Sequence, residues 1–421
     1  MAGTKIARRA ASMFALVLVL FLSAFWLENF AFADTQDETN RALLQRIAAL
    51  EQKVEELNKK LEVGATIEAA KISDEFVEKK VQLKDIGLSG FVDTSYTYNF
   101  AGPDSRSNTA RVFDTEANNF NVQAAELVFE KLPPDEGGVG FRTDLFFGQD
   151  AEVITPTGST RDQFDLQQAY ISLKPNGFKL PIGNWQWIKF GKFVTMHGAE
   201  VIEAKDNWNF TRSLLFGYAI PFTHTGIRAG YQLFDKLSAY LGINNGWDNV
   251  KDNNKTKSVE GCLNWMANDK LSFNLAGMYG PEQASNDHSQ RGLVDFLASY
   301  KPFPKLTFML NADYAHEDDV LAAGKNGSWS GVAAYLKYDA YSWMSLISRT
   351  EFFSDRQGLR VTPGTMQDLW ETTLTLEVRP FKDLLTRLEY RRDESSSNIF
   401  TRNQKSIDHQ DTLGLEAIYI F

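Results

Sequence analysis

Thr412-Leu413-Gly414-Leu415-Glu416-Ala417-Ile418-Tyr419-Ile420-Phe421 is the last stretch of the sequence, and its alternation decides the fold. Leu413, Leu415, Ala417, Tyr419 and Phe421 fall on one face of an extended chain, with Thr412, Gly414 and Glu416 on the other. A repeat of two is the signature of a strand, because successive side chains point to opposite sides of a pleated backbone. The same pattern recurs upstream in Leu237–Asn244, Leu271–Tyr279, Leu306–Tyr314 and Trp370–Val378. In the third of these, Leu306, Phe308, Leu310, Ala312 and Tyr314 alternate with Thr307, Asn311 and Asp313. One face is apolar and ends in an aromatic; the other is polar or charged.

Between these strands a second regularity appears. Tight turns at Leu233–Lys236, Ala267–Lys270, Lys301–Lys305 and Arg379–Asp383 take turns with long polar segments. The long segments include Ala101–Asn118, Gly246–Thr256, Pro281–Arg291, Ala315–Ser328, Ser354–Gln367 and Asp393–His409. Short turns on one side and long loops on the other describe an antiparallel transmembrane β-barrel. A soluble sandwich would turn every 8–12 residues or so and end sooner. Sixteen strands can be placed, from 88–100 to 411–421. A further apolar stretch, Ser213–Ile220, is left out, because a strand there would move the turn at 233–236 to the long-loop side. The expected fold is therefore an all-β barrel of about 16 strands over residues 87–421, with both barrel ends on the periplasmic side.

The segments before the barrel are of other kinds. Lys5, Arg8 and Arg9 precede an apolar run from Met13 to Trp26, and Ala31-Phe32-Ala33 has the small-x-small form of a cleavage site. Residues 1–33 are thus expected to be a secretory signal peptide rather than an uncleaved anchor, the apolar run being short for a spanning helix. Leu43, Ile47, Leu50, Val54, Leu57 and Leu61 then follow a 4-3-4-3-4 spacing, the seam of a coiled coil, which Gly64 ends. So few heptads make a weak coiled coil alone. Segment 34–64 is expected either to fold back on its own domain or to act as a self-associating periplasmic stalk, three-stranded if the barrel is a trimer. Residues 65–86 read as a linker.

Composition excludes several other classes. The 421 residues carry 44 Lys and Arg against 54 Asp and Glu, a formal net charge of −10, without a basic stripe for nucleic acid. Aromatic residues at 13 % argue against disorder. Cys262 is the sole cysteine, so no intramolecular disulfide is available.

The strands also predict an interior. With the aromatic-ending face toward lipid, the other face supplies Lys189, His224, Arg228, Arg349, Glu351, Arg387 and Arg391, together with Arg142, Asp144, Glu260, Asp295, Asp313, Glu371, Glu377, Glu389 and Glu416. An Arg or Lys facing lipid at mid-bilayer costs roughly 2–4 kcal/mol, so this many charges must face a lumen. A 16-stranded barrel is too wide for wall side chains alone to fill it.

A family resemblance is carried by Phe190-Gly191-Lys192-Phe193, His197-Gly198-Ala199-Glu200, Pro221-Phe222-Thr223-His224-Thr225-Gly226 and Asn244-Asn245-Gly246-Trp247-Asp248. These stretches resemble the "porin-2, OmpL-like" group of outer-membrane β-barrel porins. The resemblance implies a porin-type barrel over about 87–421 and no defined substrate. General porins fold their third outer loop inward, and Met196–Pro221, third by parity, is expected to do the same. Its His197, Glu200, Glu203, Lys205, Asp206 and Arg212 would border a constriction, with Trp208, Phe210, Leu214, Leu215 and Phe216 packing it to the wall. Arg228, Arg349, Arg387 and Arg391 would form a basic wall facing Glu200, Glu203 and Asp206; the competing expectation is that these charges pair with one another. Tyr419 and Phe421 resemble the signal read by the barrel assembly machinery.

No Gly-x-Ser-x-Gly elbow, P-loop or dinucleotide turn is present, and no cofactor is implied. His197 and Glu200 alone are too few for a metal site, and the Asp/Asn-rich loop Asp248–Asn254 lacks the closing Glu of an EF-hand. The expectation is a Gram-negative outer-membrane porin, not an enzyme. It would sit among lipid and lipopolysaccharide, form a homotrimer, and pass small hydrophilic solutes by diffusion. The rivals are a non-conducting anchor or adhesin barrel, and a barrel-type hydrolase.

Overall fold

The computed structural model describes residues 85–176 and 183–421. The expected leader (1–33), the heptad seam (Leu43, Ile47, Leu50, Val54, Leu57 and Leu61) and all but the last two residues of the linker lie outside the described residues.

Alternation is converted directly into a closed sheet. The strands are β1 (Gly87–Asn99), β2 (Asn119–Lys131), β3 (Gly138–Phe147), β4 (Phe164–Lys174), β5 (Asn184–Val194), β6 (Thr223–Phe234), β7 (Leu237–Asn244) and β8 (Ser258–Asn268). They continue as β9 (Leu271–Pro281), β10 (Gln290–Phe303), β11 (Leu306–Leu321), β12 (Lys325–Tyr341), β13 (Met344–Asp355), β14 (Gln367–Phe381) and β15 (Leu384–Ser395). A small hairpin, β16 (Phe400–Arg402) with β17 (Lys405–Ile407), interrupts the last long loop before β18 (His409–Ile420). Each strand from β1 to β15 pairs with the next, and β18 joins β15 to β1, giving the 16-stranded antiparallel barrel expected from the sequence. Closure runs from Phe91 opposite Ile420 to Asn99 opposite Thr412. Beyond that register, Gly90 and Phe421 exchange both backbone hydrogen bonds, at 3.0 and 3.1 Å.

The two faces separate as the pattern requires. Leu415, Tyr419, Phe308, Leu310, Tyr314 and Trp370 are exposed on the outside, part of an apolar surface far larger than a soluble monomer presents. Asn311, Asp313, Thr412 and Glu416, on the opposite parity, are buried inside.

Two-residue turns join β6 to β7, β8 to β9, β10 to β11, β12 to β13 and β14 to β15 at one end. The long connections lie at the other. Ser213–Ile220 is not a strand; Leu215–Ala219 forms a single wide helical turn inside the loop between β5 and β6. One expected loop is corrected. Much of Ala315–Ser328 continues β11 and β12 as a hairpin pairing His316 with Ser328 and Leu321 with Lys325. Charged residues fall on both of its faces, His316 and Asp318 on one and Glu317 and Asp319 on the other, so the apolar-polar alternation that marks a spanning strand is missing there, although the ladder persists.

Candidate functional site: the loop across the barrel

Residues 195–222, between β5 and β6, fold into the barrel and bury most of their side chains. The loop is held to the wall residue by residue. Ala199 N–H donates to Asn311 on β11 at 3.0 Å, and Glu200 accepts from Arg349 on β13 at 2.7 Å. Glu203 takes the amide of Gln167 on β4 at 2.7 Å. Arg387 on β15 donates to the carbonyls of Ala204 and Asn207. Glu389, also on β15, accepts the backbone N–H groups of Phe210 and Thr211 at 2.7 and 2.9 Å, and Glu351 accepts that of Leu214 at 2.7 Å. Arg391 donates to the carbonyl of Arg212 at 2.6 Å, and the Trp329 indole on β12 to that of Ala219 at 3.1 Å. Charge-assisted bonds of this kind are stronger than neutral ones, and here they satisfy backbone groups of a segment with little regular structure.

Of the expected basic wall, Arg349, Arg387 and Arg391 are each at most 1 % exposed. Arg349 pairs with Glu200 and Glu371, Arg387 with Glu377 and Glu416, and Arg391 with Asp393. Their parity is inward, but they hold the loop and their own neighbours. Arg228 likewise donates through Nε and Nη2 to the two carboxylate oxygens of Glu260, and its guanidinium lies 4.1 Å from the Phe193 ring. Lys189 is half-buried over the rings of Tyr170 and Trp187. His224 is buried against the Gly246 carbonyl.

On the loop, Glu200, Glu203 and Arg212 are buried. Arg212 donates to the carbonyls of Val201, Ile202 and Phe210 and so folds the loop on itself. His197 bonds Thr195 Oγ1 at 3.0 Å, and burial pushes its imidazole down to about 4, so it is neutral at pH 7. Glu200 is drawn to Arg349 and Ser213 instead, so no metal half-site forms with His197. Of these loop charges Asp206 alone is exposed, and the half-buried Lys205 pairs with it at 2.5 Å.

Two neighbouring loops also enter the barrel, a feature the sequence reading did not anticipate. Arg111 of loop 100–118 pairs with Asp393 at 2.6 Å, while Phe113 packs on Phe216 and Phe222. In loop 148–163 the short helix α1 (Gln149–Ile154) buries Ala151 and Ile154 in the same apolar cluster. A lone arginine among polar loop residues and a six-residue helix carry no sequence signal of inward placement. Beside them, Trp247 and Trp329 meet edge to face at 6.1 Å, flanked by Arg291 and Arg360. In the Asp/Asn-rich loop, Asp248 accepts the N–H groups of Phe222 and Thr223 and clamps the exit of the inward loop.

A sixteen-stranded barrel with an apolar exterior and a charged interior crossed by its third long loop has the architecture of outer-membrane porins. The chain belongs to the family described as "Putative beta-barrel porin-2, OmpL-like", whose pattern matches residues 85–421. No curated protein matches the sequence. Among solved structures, the chain is similar to the outer membrane channel DcaP of Acinetobacter baumannii, at 15 % identity and a TM-score of 0.54, over 80 % of this chain and 97 % of that one. It is also similar to an anion-selective porin from Comamonas acidovorans, at 11 % identity and 0.56, over 80 % and 99 %. The trimer form of OmpT from Vibrio cholerae matches at 11 % identity and 0.51, over 80 % and 99 %. At these identities the likeness is one of fold.

Proposed function

We propose that this protein is a channel of the Gram-negative outer membrane through which small hydrophilic solutes diffuse without energy input, and that it performs no catalysis. The observation that supports this most is the partition of the barrel. Its outer face is apolar, whereas its inner face carries rows of arginine and carboxylate that lipid would not tolerate. The inward loop would set the size limit, with Lys205 and Asp206 the charged groups that meet the solute. His197, Glu200, Glu203, Arg212, Arg349, Glu351, Arg387 and Arg391 would shape the opening by holding the loop.

A trimer is proposed on the likeness to a trimeric fold and on the heptad seam. If the seam holds the assembly, Leu50→Asp with Leu57→Asp converts trimer to monomer; a persisting trimer assigns that work to the barrel walls. Lipopolysaccharide around the barrel, a periplasmic position for segment 34–64, and recognition of Tyr419 and Phe421 by the assembly machinery belong to the same proposal. Removal of Phe421 should lower outer-membrane insertion.

A second reading has its own observation. Three loops build an apolar cluster inside the barrel, which favours a closed anchor. Swelling of liposomes in neutral sugars of increasing size separates the two. Uptake with a sharp size limit supports the channel, and no uptake by correctly inserted protein supports the anchor.

A further inference from the structure

Away from the arginine wall, the inward loop meets β2, β3 and β4 through a group of carboxylates. Glu126 on β2, Asp144 on β3 and Glu203 on the loop each bring a carboxylate oxygen within 4.8 Å of the other two, and all three side chains are buried. Asp144 is oriented by Gln168, whose amide donates at 2.6 Å, and is paired with Arg142 at 2.9 Å. Arg142 is in turn shared with Glu130 at 3.8 Å. Neither Glu126 nor Glu203 has an ion-pair partner among the described residues. The nearest loop cation, Lys205, is spent on Asp206. Two carboxyl groups are therefore left without a cation partner in a buried position, where an unpaired carboxylate is costly.

Independently of that charge, two buried oxygens here lack partners among the described residues. Glu126 is 1 % exposed, and its Oε1 accepts no hydrogen bond. Gln167 on β4 is fully buried; its Nε2 reaches Glu203 Oε1 at 2.7 Å, while its own Oε1, on the same amide carbon, is unpartnered. A half-turn of that amide would present Oε1 to the cluster as a fourth oxygen.

We propose that Glu126, Asp144, Glu203 and Gln167 form a binding site for a divalent cation, best suited to Ca²⁺, that fastens the inward loop to the β2–β4 wall. An all-oxygen set is what a hard cation takes. Calcium bonds its ligands at about 2.4 Å, so three oxygens within 4.8 Å of one another reach it with small side-chain shifts, whereas the smaller Mg²⁺ needs the set to contract further. A double charge matches the two uncompensated carboxylates. The site would complement the arginine wall, which grips the loop from β13 and β15, and it is independent of whether the barrel conducts.

Isothermal titration of the chelator-treated, detergent-solubilised full protein with CaCl₂ tests this. One site per chain is expected, weakened about tenfold or more in Glu126→Gln and in Glu203→Gln, because ligand charge sets affinity in such sites. Asp318→Asn, on a half-buried carboxylate of the β11–β12 hairpin, should bind as the wild type does. Heat-modifiable gel migration checks that each variant is folded, and exchanging a buried unpaired carboxylate for an amide should not unfold the barrel. Absence of stoichiometric Ca²⁺ binding in the wild type, or binding indifferent to both substitutions, would overturn the proposal. Either result can be obtained whether or not the protein forms a channel.

Discussion

Arg349 on β13 and Glu200 on the inward loop meet at 2.7 Å, although 149 residues separate them in sequence, and neither side chain is more than 4 % exposed. Arg349 also donates to the Thr211 carbonyl at 2.6 Å and to Glu371. One guanidinium therefore joins the start of the loop, its tip and the barrel wall. Removing one partner of a buried pair costs about 3–5 kcal/mol, since the other charge is stranded. Arg349→Met should loosen the loop and give larger, noisier single-channel currents, with the barrel still folded on a heat-modifiable gel. Adding Glu200→Gln should restore part of the wild-type current. Identical currents in wild type and Arg349→Met would mean that the remaining contacts suffice.

The tip of the loop rests on a glycine. A Cβ at Gly414 would lie 2.8 Å from the Phe210 ring, too close for either group to stay in place. Gly414→Val should displace the tip and broaden the distribution of current amplitudes, and Phe210→Ala in the same chain should narrow it again. A single sharp amplitude in Gly414→Val would show that the tip does not border the water path.

Excision of 199–216 should raise conductance, because it removes the segment that crosses the barrel. It should also shift selectivity toward cations. Arg349, Arg387 and Arg391 would then face water beside the more numerous Glu351, Glu371, Glu377, Glu389, Asp393 and Glu416. The change in reversal potential under a salt gradient reads this directly, and a shift toward anions would contradict it.

The clamp at the loop exit gives a pH dependence. Desolvation pushes the Asp248 carboxyl up to about 6, against the two N–H bonds it accepts and the nearby Arg360. A folded-state value above the ordinary one means that the fold favours the protonated acid. Stability from this group is therefore greatest near pH 4 and is lost as pH rises through about 6. Asp248→Asn keeps an accepting oxygen without the charge, so its advantage over wild type in thermal unfolding should grow between pH 4 and pH 7. An advantage that does not vary with pH would place the carboxylate in water.

Strand positions were legible because the bilayer imposes a strict alternation. Leu413, Leu415 and Tyr419 look outward and Thr412 and Glu416 inward in the barrel, as the sequence requires. Parity also identified Met196–Pro221 as the third long loop and kept Ser213–Ile220 out of the wall. The function of the lumen charges was not legible. Nothing in the sequence distinguishes an arginine that faces solute from Arg387, which is sealed beneath the loop it holds. Period two gives the face of a residue and not what covers it. For the same reason the entry of Arg111 and of helix α1 was invisible, because docking partners such as Asp393 lie hundreds of residues away.

The central claim is a water-filled path past the inward loop, and planar-bilayer recording of the purified protein under a salt gradient tests it most directly. The account predicts stable stepwise openings, grouped in threes for a trimer and enlarged when 199–216 is removed. A barrel that inserts but stays electrically silent, both with and without that segment, would contradict it.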